Sequence, residues 1–467
     1  MKREKLQTLT SVLFPYDDFL YMLQLELYYP KMYFSHLGRM FFKRNFQRTG
    51  KLELTDRIRI TKVVSVVLTI GLPTVVLLLI DRINIAVILL LYLNSIFLIP
   101  LWIGIVNSIF ALVLKINSQR LYQAAIQKTS KIEDLKSIVI VGSFGKTTTK
   151  NFLNQIVQFN YKTQMIPGNI NTPDGIAKWI IDNLKSQTEL IIYEADGWSK
   201  GEIAQCCKLA QPDIVIITNI GDQHLERLGT RRNLAKTLRE SILQSKDTAR
   251  IIMSRKTAQE FNNVGVSIDT PKQREIIKID TYNPPKYLKK LADGGEVTLV
   301  QVHDLMYAIE ASRILKISND FIQDTIKKIE IPERRTKIID LGNFRVLDDS
   351  YNISLTTAKS AIHEGKKIAE ENDKRLLVIT AGIPELGMEN INANVHLGME
   401  IGEYADFVVV INSILANEVK SGLTRSDFKG KIHHASSMND AWEVITQIFD
   451  PNEVFVLMFP ELTDLYY

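Results

Sequence analysis

The stretch IVIVGSFGKTTTKNFLNQIV, Ile138–Val157, decides the fold of this chain. An apolar, strand-like run leads into Gly142-Ser143-Phe144-Gly145-Lys146-Thr147, and an amphipathic helical pattern follows. Glycines in such a turn let backbone N–H groups point at phosphate oxygens, the helix N-terminus adds partial positive charge, and the lysine neutralises the β/γ end. We therefore predict a P-loop that binds ATP or GTP, with Mg²⁺ on Thr147; a purely structural turn is the alternative. The predicted nucleotide contacts are Gly142, Ser143, Gly145, Lys146, Thr147 and Thr148.

Short β-branched runs alternate with helical periods from Ile138 onward. The runs are SIVIVG, ELIIYEA, DIVIITNIG, ARIIM, FRVLDDS, RLLVITAG and DFVVVIN. Such alternation is typical of an α/β fold in which helices cover a mostly parallel sheet. Pro332 and a charge cluster follow a predicted helix, Asp320–Ile329, so we place a boundary between domains 116–331 and 332–467. Residues 267–297, rich in Pro, Lys and Gly, are interpreted as an excursion within the first of these domains.

Two long uncharged runs precede the P-loop: Val63–Ile80, with 18 residues, and Ile83–Leu114, with 32. A hydrocarbon core of about 30 Å needs roughly 20 helical residues. We therefore predict two membrane spans, near 62–81 and 84–106, in an α-helical membrane hairpin that occupies residues 62–115. Buried core helices are the alternative.

The charges that flank these runs predict the orientation of the hairpin. Residues 1–62 carry 12 Lys and Arg against 6 Asp and Glu, and Lys115, Arg120, Lys128 and Lys131 follow the hairpin. Positive flanks face the cytoplasm, so we expect both ends of the chain and the domains that follow the hairpin to be cytoplasmic, at the cell membrane. Residues 1–61 mix aromatic and basic residues and are predicted to lie as helices on the membrane surface; a small soluble helical subdomain is the alternative.

Composition excludes some classes of protein. The 467 residues are 46% hydrophobic and 23% charged, as in ordinary globular proteins of two or three domains. The two cysteines, Cys206 and Cys207, are neighbours and cannot join distant segments, which fits a reducing compartment. With residues 1–62 set aside, the chain is close to neutral, and we expect no nucleic acid partner.

Polar residues follow two of the predicted strands at their carboxyl ends. Glu194 ends one strand, Thr218 and Asn219 end the next, and His224 lies in the loop after it. Open α/β sheets gather their ligands at this edge, and a carboxylate there is a natural ligand for Mg²⁺. His224 is either a second metal ligand or an ordinary loop histidine.

Seven motifs occur in the order found in the Mur ligase family, which this chain therefore resembles. They are GSFGKTTTK, PGNINTPDGIA, EADGWSKGEI, PDIVIITNIGDQHLERLG, VHDLMYAIEA, RTKIIDLGNFRVLDDSYN and AGIPELG. The resemblance covers about 330 of the 467 residues, from Ile138 onward. It implies a P-loop central domain, a C-terminal Rossmann-like α/β domain, and ATP- and Mg²⁺-dependent formation of an amide bond through an acyl phosphate.

The resemblance also implies roles for individual residues. Lys146, Glu194 and His224 would act in catalysis, with Thr147, Glu194 and His224 as metal ligands. Asn219 would contact the nucleotide, and His303 and Asp304 would lie beside its adenine. From the C-terminal domain, Arg335, Asp349 and Asn352 would close over the nucleotide, with Arg334 as a rival for the role of Arg335. Each of these residues also has an alternative as a solvated or capping residue.

Three features depart from the family pattern. The family usually has a carbamate-forming lysine fourteen residues after the histidine of the HLE motif, and that count from His224 reaches Leu238, between Lys236 and Glu240. Asp304 replaces the usual asparagine, so a group that only accepts hydrogen bonds stands near the base. The uridine-nucleotide-binding domain is missing, and the predicted membrane hairpin stands in its place.

We therefore expect a membrane-anchored, ATP-dependent carboxylate–amine ligase of peptidoglycan or related cell-envelope biosynthesis. Its expected partners are the membrane, a muropeptide or other carboxylate acceptor that is soluble or lipid-linked, and an amino acid or a dipeptide like D-Ala-D-Ala. The alternatives are a membrane-bound synthase of the poly-γ-glutamate type and a non-catalytic nucleotide-binding scaffold of an envelope complex.

Overall fold

The computed structural model describes residues 16–26, 28–42, 52–79, 84–168, 170–221, 225–269, 274–293, 297–331, 337–350, 353–384 and 386–459. These residues fall into two compact units, one within residues 1–119 and one within residues 120–461. The helices of the first part of the chain are α1 (Tyr16–Leu25), α2 (Pro30–Phe42), α3 (Asp56–Leu79), α4 (Ile85–Phe97) and α5 (Ile99–Ser130). Two of them, α3 and α5, are long and apolar enough to cross a membrane.

Helix α3 has an inverted pattern of burial. Its buried side chains include Thr61, Ser65 and Thr69, one helical turn apart on a single face, whereas Val67 and Leu78 are exposed by 61% and 81%. The Thr69 hydroxyl accepts a hydrogen bond from Tyr16 of α1 (2.7 Å). Its backbone carbonyl accepts one from Ser95 of α4 (2.6 Å). Hydrogen bonds of Thr69 therefore join α3 to α1 and α4, and apolar side chains of α3 lie on the surface of this unit.

The predicted second span, 84–106, is wrong as a continuous helix. The chain breaks between α4 and α5 at Leu98, the C-cap of α4, whose N–H donates to Asn94 O. Pro100 follows in the first turn of α5. A proline has no N–H to donate and its ring clashes with the preceding turn, so it favours the first turn of a helix, although α3 carries Pro73 in its interior.

A six-stranded parallel sheet forms the first α/β layer, in the order β2-β3-β1-β4-β5-β6. Its elements are β1 (Lys136–Val141), α6 (Lys146–Val157), β2 (Thr163–Met165), α7 (Pro173–Asn183), β3 (Leu190–Glu194), α8 (Glu202–Leu209), β4 (Ile214–Ile217), α9 (Leu225–Leu228), α10 (Arg231–Gln244), β5 (Arg250–Ser254), α11 (Arg255–Asn263), β6 (Glu275–Ile279), α12 (Lys286–Asp293), α13 (Leu299–Ile314) and α14 (Asn319–Ile326).

Both faces of this first sheet are buried, because successive residues of a strand point to opposite faces. Ile138 and Ile140 of β1 pack in one apolar cluster, whereas Val139 and Val141 pack in another. Residues 267–297, interpreted as an excursion, contribute the edge strand β6 and helix α12.

A second six-stranded sheet has the order β11-β10-β9-β12-β8-β7, with β7 and β8 antiparallel and the other pairs parallel. Its elements are β7 (Lys337–Leu341), β8 (Phe344–Asp348), α15 (Leu355–Glu371), β9 (Arg375–Thr380), a 3-10 turn (Gly387–Glu389), α16 (Asn390–Tyr404), β10 (Phe407–Ile411), α17 (Ala416–Arg425), β11 (Lys431–Ala435), α18 (Met438–Ile448) and β12 (Val454–Met458). The predicted α/β fold, with a parallel sheet followed by a second α/β layer, is confirmed.

Candidate active site

The loop between β1 and α6 has the backbone geometry of a phosphate-binding turn. Gly142 and Gly145 have φ angles of 136° and 79°, values that L-residues with a side chain rarely adopt. A Cβ on Gly142 would overlap the Thr218 hydroxyl, and one on Gly145 would overlap the Asp304 carboxylate. The glycines are therefore required both by the turn and by the neighbours that pack against it.

Two strand ends hold this loop, because β1 lies between β3 and β4 in the sheet. Asn219, after β4, accepts hydrogen bonds at Oδ1 from the N–H groups of Ser143 (3.2 Å) and Phe144 (3.1 Å). Its Nδ2 donates to Phe144 O (2.8 Å). The Ser143 hydroxyl accepts from Gly221 N (2.9 Å). Asn219 and Ser143 thus fix the shape of the loop.

On the other side of the loop, Thr147 and Glu194 form a pair of oxygen donors. The Thr147 hydroxyl donates to Glu194 Oε2 (2.8 Å), and Glu194, at the end of β3, is 1% exposed. Hydroxyl and carboxylate oxygens are the hard donors that Mg²⁺ prefers. These two residues therefore fit the predicted metal, with the helix N-terminus beside them. Thr148, in the same first turn, is buried.

Lys146 points back into the loop. Its Nζ donates to Gly142 O (2.6 Å) and lies 3.4 Å from Asp196 Oδ1. A cation held against the loop in this way is placed to meet phosphate oxygens.

Sequence reasoning missed two charged residues of this site, Lys150 and Asp196. Lys150 is fully buried one turn after Lys146; its Nζ donates to Ile166 O (2.7 Å) and lies 3.9 Å from Glu194 Oε1. Asp196 follows Glu194 by two residues. The sequence offers a signal only for Lys150, since residues i and i+4, here Lys146 and Lys150, share a helix face.

Helix α13 brings the predicted base-binding residues to the loop. Asp304 reaches Gly145, and the preceding His303 has its ring 5.9 Å from that of Tyr282. Burial lowers the pKa of the His303 imidazole below its ordinary value, and the charge of Lys256 lowers it further. The ring is consequently neutral at pH 7, as suits contact with an uncharged base.

The position of the family's carbamate-forming lysine is apolar in this chain. Leu238 lies on α10 and is 3% exposed. Its neighbour Glu240 accepts hydrogen bonds from Gly201 N (2.8 Å) and Ala204 N (3.1 Å), at the start of α8. Glu240 therefore caps a helix, and using it as a metal ligand would leave these N–H groups unpaired.

Other predicted residues lie elsewhere. Asp349 follows β8 in the second sheet, and its N–H donates to Met458 O (3.0 Å). Its role at the nucleotide stays a prediction. His224, Arg335 and Asn352 lie outside the described residues, as does Arg334.

Comparison with known proteins supports the resemblance that the sequence motifs indicate. Residues 140–305 match the model of the Mur ligase middle domain. The UDP-N-acetylmuramoyl-tripeptide--D-alanyl-D-alanine ligase of Bacillus subtilis (strain 168) is 24% identical over 272 residues, which cover 56% of this chain and 58% of that protein. The chain thus spans less than two thirds of the length of this relative.

Solved structures share the fold. MurF from Acinetobacter baumannii has a TM-score of 0.60 at 18% identity, covering 73% of this chain and 77% of the other. MurF from Thermotoga maritima in complex with ADP has a TM-score of 0.60 at 20% identity, covering 74% and 80%. The fold is therefore that of these ligases, residues 140–305 match the Mur ligase middle domain, and the resemblance predicted from the sequence motifs is confirmed.

Proposed function

We propose that this chain is a membrane-anchored, ATP-dependent ligase that joins a carboxylate to an amine in cell-envelope biosynthesis. The observation that carries the proposal is the arrangement of Lys146, Thr147 and Glu194 around a glycine turn, within a Mur ligase middle domain. The same arrangement argues against a non-catalytic scaffold, because a scaffold needs no buried carboxylate beside the phosphate site.

The proposed reaction has two steps. The acceptor carboxylate attacks the γ-phosphorus of ATP, the bond from that phosphorus to the bridging oxygen breaks, and ADP leaves. The amine then attacks the carbonyl carbon of the acyl phosphate, and inorganic phosphate leaves from the tetrahedral intermediate. Phosphoryl transfer depends mostly on positioning and charge neutralisation, so no side-chain nucleophile is required.

The residues around the loop would have different roles in this reaction. Backbone N–H groups in the first turn of α6, from Lys146 to Thr148, would bind the phosphates, and the Lys146 side chain would neutralise the β/γ end. Thr147 and Glu194 would hold Mg²⁺, which neutralises charge on the transferred phosphoryl group. His303 and Asp304 would flank the base, and Arg335, Asp349 and Asn352 would close over the nucleotide from the C-terminal domain.

The names of the relatives suggest the substrates. A UDP-muramoyl-tripeptide would be the carboxylate acceptor and D-alanyl-D-alanine the amine, as in the proteins that this chain resembles. A lipid-linked muropeptide is the alternative acceptor, because a membrane anchor would keep the enzyme where such a molecule is found.

The inverted burial of α3 supports the anchor. Transmembrane helices pack through small and polar residues and expose apolar side chains to lipid, which is the arrangement of Thr61, Ser65 and Thr69 against Val67 and Leu78. We further propose that residues 62–115 form the membrane segment and that both catalytic domains, 116–331 and 332–467, are cytoplasmic.

ADP release by the full chain, purified in detergent, tests the proposed reaction. The protein is offered UDP-muramoyl-tripeptide, lipid-linked muropeptide or glutamate, each with D-alanyl-D-alanine or single amino acids. We expect release with one muropeptide, and Lys146→Ala should lower its rate by about a hundredfold or more. Lys236→Ala, on the exposed face of α10, is the matched control and should retain the wild-type rate.

Each result has a meaning. Release with glutamate alone would favour the poly-γ-glutamate type of synthase. Nucleotide binding without ADP release in any mixture would favour the scaffold. A Lys146→Ala rate within threefold of wild type would contradict the assignment of the phosphate site.

A further inference from the structure

Four charged side chains face one another beside the phosphate loop. Lys146 and Lys150 lie one turn apart on α6, and they face Asp196 and Glu194 at 3.4 Å and 3.9 Å. All four side chains are at most 12% exposed. Within this group of four, two positive charges balance two negative ones; a further buried carboxylate, that of Asp304, packs against Gly145.

The two pairs differ in what nucleotide binding does to them. Lys150 is turned away toward the carbonyl of Ile166, so its pair with Glu194 can persist. Lys146 is the cation that phosphate oxygens must meet, and it is the partner of Asp196. A bound triphosphate therefore competes with Asp196 for Lys146.

The backbone of Asp196 cannot move far when that happens. Its backbone N–H donates to Asn171 O (3.1 Å). The next residue, Gly197, has no room even for a Cβ, which would approach Thr237 Cγ2 to 2.6 Å. The carboxylate would consequently remain beside the phosphates, in a site where water screens charge poorly.

We propose that Asp196 makes nucleotide binding depend on Mg²⁺. Without the metal, the Asp196 carboxylate repels the triphosphate; with the metal, the positive charge on Thr147 and Glu194 offsets that repulsion. The residue would thus select the Mg²⁺ complex of ATP over free ATP. This inference rests on the proposed nucleotide site.

Binding of the non-hydrolysable analogue AMP-PNP tests it by calorimetry, with the full chain in detergent. Asp196→Asn keeps the shape of the side chain and removes its charge. In EDTA we expect this variant to bind AMP-PNP about tenfold more tightly than wild type does, the effect of one partly screened charge. In excess Mg²⁺ the two proteins should differ by less than about threefold. Asp182→Asn, exposed near the end of α7, removes the same charge elsewhere and should bind like wild type in both buffers.

Other outcomes would overturn the inference. An equal change in both buffers would make Asp196 only a residue that holds Lys146, and weaker binding in Mg²⁺ alone would make it a direct metal ligand. Asp196→Ser, a second variant without the charge, decides the matter if Asp196→Asn does not fold. If wild type binds AMP-PNP in neither buffer, the nucleotide site itself is refuted. If wild type binds but Asp196→Asn has the same ratio of affinities in Mg²⁺ and EDTA as wild type, only the role of Asp196 is refuted.

Discussion

Glu194 is the most constrained residue of the candidate site. One of its oxygens accepts from Thr147 and the other faces Lys150, and the side chain is almost wholly buried. A buried carboxylate without compensating partners costs several kcal/mol. The Thr147 hydroxyl and the Lys150 ammonium group therefore stabilise the Glu194 carboxylate at a position where it could bind a metal ion.

The number of metal ions can be tested at two residues. Leu238 cannot form a carbamate, and Glu240 is engaged at the start of α8, so we expect one Mg²⁺, held by Thr147 and Glu194. A lone neutral histidine binds a hard cation poorly. Glu194→Ala should therefore lower the rate of ADP release by about a hundredfold or more, and His224→Ala by less than about tenfold.

A Mg²⁺ titration of the two variants measures this difference. Excess Mg²⁺ should recover part of the loss in Glu194→Ala if the defect is in metal binding. If His224→Ala loses as much activity as Glu194→Ala, the enzyme uses a second ion and the one-metal hypothesis is wrong.

The site residues that are neighbours in the sequence were predictable. Gly142 to Thr147 form one motif, and the sequence alone places the loop between a strand and a helix. Lys150 and Asp196 were missed because their partners are far away in sequence and meet only when β3 lies beside β1. Their pairing is a property of strand order, which no local pattern encodes.

At the scale of elements, α16 and α17 pack at unusually close range through glycines. A Cβ on Gly398 would overlap Val419 O, and a Cβ on Gly422 would overlap Val395 O and lie 2.7 Å from Gly398 Cα. The neighbours are backbone atoms, so no side chain can turn aside to make room.

Gly422→Ala should destabilise the protein by about 1–3 kcal/mol, because an added methyl group forces these two helices apart. At an exposed position of a helix, replacing Gly by Ala would stabilise the protein by roughly 0.5–1 kcal/mol. A loss of stability would therefore indicate the close contact between the two helices. Urea unfolding followed by circular dichroism measures it. Thr424→Ala, on the exposed face of α17, is the control and should stay within about 0.5 kcal/mol of wild type.

Most of the apolar strands were predictable, but β12 (Val454–Met458), which is also apolar and buried, was missed. The seven predicted runs correspond to β1, β3, β4, β5, β8, β9 and β10. Strand β2 has three residues, and β11 carries two histidines and a lysine, so neither shows a clear strand pattern. The break between α4 and α5 at Leu98 was not predicted, because the second span was placed by length and hydropathy alone.

At the scale of the whole molecule, helix α3 contrasts with the unit within residues 120–461 in the side chains that it exposes and buries. The unit within residues 120–461 has apolar strands inside and charged residues outside, whereas α3 exposes valine and leucine and buries threonine and serine. Water favours buried apolar side chains through the hydrophobic effect. Lipid does not, because its hydrocarbon chains are as apolar as the exposed side chains of α3.

One substitution on the exposed face of α3 separates a lipid environment from an aqueous one. Val67→Asp places a charge near the middle of this helix, where it costs about 2.5–3.5 kcal/mol in a bilayer but changes the stability of a water-exposed surface by only about 0.5 kcal/mol. We expect it to reduce the fraction of the chain that remains with membranes after carbonate extraction. Val67→Ala, at the same position, and Ile448→Asp, at an exposed position of α18, should leave that fraction unchanged. Equal retention of Val67→Asp and wild type, or recovery of wild type in the soluble fraction, would show that α3 does not contact lipid and that the anchor proposal is wrong.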